Sequence, residues 1–327
     1  MYTKKNYSFW MTFNWTKEPF LYGLLYSGVI IGLFNFFNLD LTIPWQPIGV
    51  IGISVAFYLG FKNNSAYDRT WEARKIYGGI VNDSRSFGAA VVSFPKGDNV
   101  DAIKKELIYR QIAWLTTLRH QLRLGRSWEH SEERLNGLYT PTICEDYTRK
   151  LDNELTKYLS DQELAQLENK SNRASQILKS QSVRLQELRD QGYFDDFRHM
   201  EFHKLLVHLF AGQGKAERIK NFPFPRQYAS TALWLTFVFC AFVPFGLLEL
   251  FKGSIWTETV CMIISATIIW IFFLMEKIGD YSENPFEGTY NDVPITSISR
   301  GIEIDLREMI NDENIPAPIE SENGFLM

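Results

Sequence analysis

The stretch DDFRHMEFHKLLVH holds the densest set of groups that could do chemistry: Asp195, Asp196, His199, Glu201, His203 and His208. His199 and His203 are four residues apart, so a helix would place them on one face at a spacing that suits a metal ion. A di-iron site built on HxxxH boxes needs several of them, yet the chain has five histidines, and His120 and His130 lie elsewhere. Nor is the pattern HExxH, so zinc-dependent hydrolysis would lack its general base. The preferred reading is a solvated polar helix face, with a metal-dependent membrane enzyme as a remote alternative. No GxGxxG, P-loop or GxSxG stretch occurs. No catalytic residue, metal or cofactor is therefore expected, and the chain is read as a non-enzyme.

Charge and cysteine usage remove further classes. A net charge of −4 over 327 residues, with no dense basic tract, excludes a nucleic-acid partner. Cys144, Cys240 and Cys261 are an odd set without a CxxC pair. They encode neither a disulfide framework nor a structural zinc site, which suits a reducing, cytoplasmic side.

The elements that must position any site are set by uncharged runs. Residues 19–39 and 41–61 are two such runs of 21, residues 227–248 a third of 22, and residues 259–275 a fourth of 17. A helix needs about 20 apolar residues to cross a ~30 Å hydrocarbon core. Tryptophans and tyrosines near the run ends fit the two interfaces. Four transmembrane helices are expected. The first run follows Lys4, Lys5 and Lys17 but is longer than a signal-peptide core and lacks an A-x-A-like site, so a retained helix is expected.

Orientation follows from lysine and arginine. The short loops carry Asp40 in one case and Glu249, Lys252 and Glu258 in the other, whereas Lys62, Arg69, Arg74, Lys75, Lys215, Arg218, Lys220, Arg226 and Lys277 flank the opposite ends. The positive-inside rule puts both termini in the cytoplasm of a multi-pass protein of the cell inner or plasma membrane. The expected division is a first membrane pair in residues 1–61, a cytoplasmic domain in 62–226, a second pair in 227–275 and a cytoplasmic tail in 276–327.

The large insert reads as helical. Ile103, Leu107, Ile108, Ile112, Leu115, Leu118 and Leu122 keep helical spacing. Ser160 with Glu163 predicts a capping box that opens a segment running through Leu164, Leu167, Ile177, Leu178, Leu185 and Leu188 until Gly192 closes it. Loops are predicted at 93–99 and 137–141. Neither a strand pattern nor an internal repeat is evident. Pro44, Pro47, Gly49, Gly52 and Gly60 around the second run predict close helix packing and a bent entry.

One helix changes character midway. In SVAFYLGFKNNSAYDRTW the apolar residues Ile53, Phe57 and Phe61 recur every four positions, and Lys62, Asn63, Asn64, Ser65 and Asp68 continue without a break. For a lone membrane helix the stripe would face lipid or another helix. Its continuation as a polar helix suits the wall of a water-filled conduit, where apolar rings narrow the path and polar residues line a wet vestibule. A single stripe cannot enclose a path, so several copies around an axis would be required.

At these residues the sequence resembles the bestrophin family of ion channels, in its bacterial branch. AFYLGFKNNSAYDRTW is similar to the family's neck helix, with Phe57, Gly60, Phe61, Arg69 and Trp71 on the pattern. The segments QGYFDDFRHMEFHKLLVHLFAGQGKAERIKNFPFPRQYA and NPFEGTYNDVPI match in the same order, and residues 125–160 align least. The resemblance implies an all-α membrane protein with four transmembrane helices per subunit, a helical cytoplasmic domain and a homopentameric assembly. It implies a hydrophobic neck of Ile53, Phe57 and Phe61, a cytoplasmic constriction at Phe197, and passage of small monovalent ions, chloride favoured. Animal members follow NPF with an acidic run that helps bind calcium; here only Glu287 and Asp292 remain, so no calcium gating is expected. Asp195 and Asp196 flank Phe197 and could concentrate cations there, which keeps a sodium or potassium channel of the same fold as the alternative. Adjacent helical positions differ by about 100°, so Asp196 and Phe197 cannot both aim at an axis, which favours anions.

Overall fold

The computed structural model describes residues 1–37, 41–130, 147–251, 253–289 and 291–327, with side chains of 147–150 also left aside. Asp40, Lys252, Cys144 and the loop expected at 137–141 lie outside the described residues. The described residues form ten helices: α1 (Phe9–Phe37), α2 (Trp45–Ser93), α3 (Val100–Arg123), α4 (Tyr147–Leu155), α5 (Asp161–Leu167), α6 (Arg173–Asp190), α7 (Asp196–Asn221), α8 (Arg226–Phe251), α9 (Ile255–Ser282) and α10 (Ile295–Met309). Extended pairing among them is limited to the isolated bridges Tyr2–Phe325 and Glu322–Phe325. The expected all-α class is borne out.

The chain divides into two compact units. One comprises Lys4–Arg69 and Pro223–Glu283. Its core joins Ile48, Val55 and Leu59 of α2 to Phe239, Val243 and Leu247 of α8 and Cys261 and Ile269 of α9. Proline shapes α1: Pro19 cannot donate to the Trp15 carbonyl one turn back, the backbone departs from helical angles at Thr16, and Lys277 Nζ donates to the freed carbonyl at 3.1 Å. The Trp270 indole donates to Thr16 Oγ1 at 2.9 Å beside the same kink. Of the prolines and glycines around the second run, Gly52 makes the close approach, because a Cβ there would fall 2.6 Å from the Phe239 ring. Gly60 meets nothing within 4 Å.

By length and composition α1, α8 and α9 can each cross a membrane. The second uncharged run adds no fourth helix on that measure. Residues 41–44 stand outside α2, and Pro47 and Lys62 bracket its apolar part to Ile48–Phe61. That stretch is about 21 Å of helix at 1.5 Å per residue, short of the ~30 Å core.

The other unit comprises Met1–Thr3, Thr70–Phe222 and Asn284–Met327. Helix α3 runs through its core, with the seven expected apolar residues buried and Trp114, Gln111 and Arg123 buried on other faces. Ser160 and Glu163 form the expected capping box at α5. The segment it opens is two helices rather than one. After Leu167 the backbone turns through Asn169, at φ 59°, and Asn172 accepts from the Ser175 amide to start α6. Two local caps outcompete a continuous hydrophobic period. Gly192 follows α6 at φ +85°, as its position predicts. The 93–99 loop forms where Ser93 ends α2 and Gly97 takes φ +123°.

Candidate functional site

The stripe on α2 is displayed rather than packed away. Ile53 is 74% exposed, Phe57 69% and Phe61 49%, while Val55 and Leu59 on the opposite face are in the core. The Phe57 and Phe61 rings meet edge to face with centroids 4.6 Å apart. Consecutive turns thus present three large apolar groups outward, and the same exposed face continues one turn later as Asn64 and Asp68. Burial of about 25 cal/mol per Å² is forgone by each exposed ring, so such a face calls for a covering surface or a use. Just beyond it Arg69 Nε donates to the Glu283 carbonyl at 2.8 Å, which ties the helix to the end of α9. Trp71 is half exposed.

Phe197 sits in the first turn of α7 and is 86% exposed. Both neighbouring carboxylates are engaged. Asp195 is the N-cap and accepts from the Arg198 amide at 2.9 Å. Asp196 accepts from Arg189 Nε at 2.6 Å, and that hydrogen bond holds its carboxyl below the usual range. The sequence suggests Arg198 or Arg218 as partners; Arg198 is 3.9 Å from Asp195, and Arg189 takes the place of Arg218.

The histidines of the same helix do not converge. His199 lies parallel to the Phe194 ring, His203 is exposed, and His208 Nδ1 is 3.6 Å from Asp83. Among the described residues no group of three or more histidine, cysteine, aspartate or glutamate side chains could hold a metal ion.

The NPF segment is a buried turn in which Glu287 N donates to the Asn284 carbonyl and Phe286 packs on Tyr77. Its two acids already have cationic or donor partners. Asp292 takes Arg123 Nη1 at 2.8 Å and Thr289 Oγ1 at 2.8 Å, and Glu287 takes the His130 amide and ring at 3.1 Å.

Sequence reasoning missed one pair beside the stripe. Lys62, 1% exposed at its side chain, places Nζ 2.7 Å from Glu276 Oε1 and 3.9 Å from Asp280 Oδ1. A signal was present: Lys62 is the first charge after the second uncharged run and Glu276 the first after the fourth. The expected topology puts both run ends on the same side, where opposite charges would stand at one depth.

Residues 17–308 match the family model described as bacterial/fungal bestrophin protein. Relatives include a voltage-dependent anion channel-forming protein of Mesorhizobium japonicum, 26% identical, the match covering 90% of this chain and 85% of that protein. Another is the voltage-dependent anion channel-forming protein YneE of Escherichia coli K12, 27% identical over 93% of this chain and 90% of that protein. The crystal structure of a bacterial bestrophin homolog from Klebsiella pneumoniae shares the fold, with TM-score 0.75, 20% identity and coverage of 90% of this chain and 98% of that one. The α2 stretch with Phe57 and Trp71, the α7 segment and the NPF turn all fall, in that order, inside one match that spans most of the sequence, and on that basis the chain belongs to the bacterial and fungal bestrophin family.

Proposed function

We propose that the protein is a homopentameric ion channel that passes small monovalent anions, chloride foremost, along an axis lined by α2. The observation that carries this reading is the exposed stripe Ile53–Phe57–Phe61, three large apolar side chains on consecutive turns of a helix that continues as a polar one. Around a fivefold axis the stripe forms a dewetting neck and Asn64 and Asp68 open below it. Phe197 forms a second constriction on the cytoplasmic side. In this reading α1, the start of α2, α8 and α9 cross the bilayer, the unit built on α3 is cytoplasmic, and both termini lie on that side. The start of α2 is short for a span but would be shielded by neighbouring helices and by water in the pore.

Sign selection is assigned to anions for two reasons. The relatives above are named as anion channel-forming proteins. The acids beside Phe197 are spent on a helix cap and on Arg189. No catalytic role is assigned. The test is the reversal potential of the purified protein in planar bilayers under a potassium chloride gradient. A value near the chloride equilibrium potential is expected. A value near that of potassium would transfer the assignment to the cation channel of the same fold, and the absence of any conductance would refute the channel.

A further inference from the structure

The stripe carries no charge, so the sign of the permeant ion is set by groups outside it, the exposed Asp68 about two turns further along the same face and charges in the wall behind it. The unit holding the stripe has such a set where the stripe ends. Lys62 follows Phe61 directly and, about 100° around the helix, points away from the exposed face. Its ammonium lies between two carboxylates of α9, Glu276 at 2.7 Å and Asp280 at 3.9 Å, which share a helix face at four-residue spacing. Gly279 lets the helices meet there: a Cβ at that position would fall 2.2 Å from Asn63 Oδ1 and 3.5 Å from Lys62 Cδ. Asn63 Oδ1 is itself buried with no hydrogen-bond partner. Burying an ammonium where an apolar side chain could pack is costly in itself, so the pair is weak ground for a stability role.

We propose that the Lys62–Glu276–Asp280 cluster is the selectivity-setting charge group of the pore, its buried ammonium holding the three groups at a net charge of −1 rather than −2 per chain and so lowering the barrier that the two carboxylates would raise against anions at the base of the neck. The inference rests on the channel reading above. Lys62 contributes one positive charge per chain against two negative ones, in a region of low dielectric where salt screens poorly. Changing any member by one unit changes the field at the axis by one unit per subunit. Asp280, at 33% side-chain exposure, is the most accessible member.

The experiment is a set of reversal potentials in a potassium chloride gradient for the parent, Glu276→Gln, Asp280→Asn, Lys62→Met and the exchange Lys62→Glu/Glu276→Lys. Each is first shown by size-exclusion chromatography to elute as the parent oligomer. Glu276→Gln and Asp280→Asn are expected to move toward the chloride equilibrium potential and Lys62→Met toward that of potassium. The permeability ratio should change at least about tenfold, the effect of a single unit charge one helix diameter from the ion, because every subunit contributes one such charge. The exchange, which keeps the total charge, should return near the parent value. Folded, conducting variants with the parent's reversal potential, or acid and base neutralisations that move it the same way, would overturn the proposal and leave the channel intact. If Lys62→Met does not assemble, the two acid variants decide alone. A parent that conducts nothing removes the channel reading and this one with it.

Discussion

Single side chains on the proposed pore separate gating from selection. Phe57 is exposed and touches Phe61 edge to face, so its loss removes ring surface without opening a hole in the unit's core. Apolar rings close a path by expelling water, and a smaller ring lowers that barrier. Phe57→Ala, and more so the triple change with Ile53→Ala and Phe61→Ala, is expected to raise open probability in bilayers severalfold. Variants as closed as the parent would mean that this stripe does not gate. At Phe197 the sequence poses a rivalry between chloride selection and a carboxylate ring. Because Asp195 and Asp196 are occupied by an amide and by Arg189, Asp195→Asn/Asp196→Asn is expected to leave the reversal potential within a few millivolts of the parent. A clear shift toward the chloride equilibrium potential in that variant would instead locate the filter at Phe197.

Helices set the stability on which those measurements depend. Replacing glycine by alanine inside a helix ordinarily gains about 0.5–1 kcal/mol. At Gly52 the new methyl meets the Phe239 ring, which is 3% exposed and has little room to move. Gly52→Ala is therefore expected to cost a net of about 1–3 kcal/mol and lower the melting temperature in detergent. A rise would mean that α2 and α8 separate freely there. In the unit built on α3, Glu154 of α4 binds Arg119 and lies 3.4 Å from His120 Nε2. Burial alone would raise its carboxyl, but the His120 hydrogen bond and the Arg119 charge hold it at about 2. A folded-state value below the unfolded one stabilises above about pH 4.5 and loses that contribution as pH falls toward about 2. With the side chain one-third exposed, solvent screening leaves about 1–2 kcal/mol. Glu154→Gln should be less stable at pH 7 by that amount and show a flatter stability profile between pH 4.5 and 2.

Assembly is the scale at which the exposed stripe acquires its use. A face of isoleucine and phenylalanine turned outward on one chain closes a path only when repeated around an axis. Native mass measurement of the detergent-solubilised protein is expected to give five copies, and a stable monomer or dimer would eliminate the pore. The end of the chain belongs to the unit built on α3. Phe325 and Met327 are buried, the Thr3 amide donates to the Gly324 carbonyl, and the Ser297 amide donates to the Met327 carbonyl. Removing residues 322–327 would expose that slot and should weaken the unit measurably by thermal melting.

What the sequence determined by itself was whatever is periodic or local along the chain. The apolar period of α3, the Ser160 box, the glycine stop after α6 and the spacing of Ile53, Phe57 and Phe61 each depend on neighbours within a few residues. Uncharged runs are legible for the same reason. The break between α5 and α6 was less so, since a cap at Asn172 competes with a hydrophobic period that runs straight through it. Only the tertiary structure decided the partners of the charges. Lys62 lies 214 residues from Glu276 and Arg123 lies 169 from Asp292, and pairs so far apart leave no mark on local pattern. A buried ion pair is set by where two helices approach, and that approach is fixed by a glycine such as Gly279 having no Cβ to hold them apart.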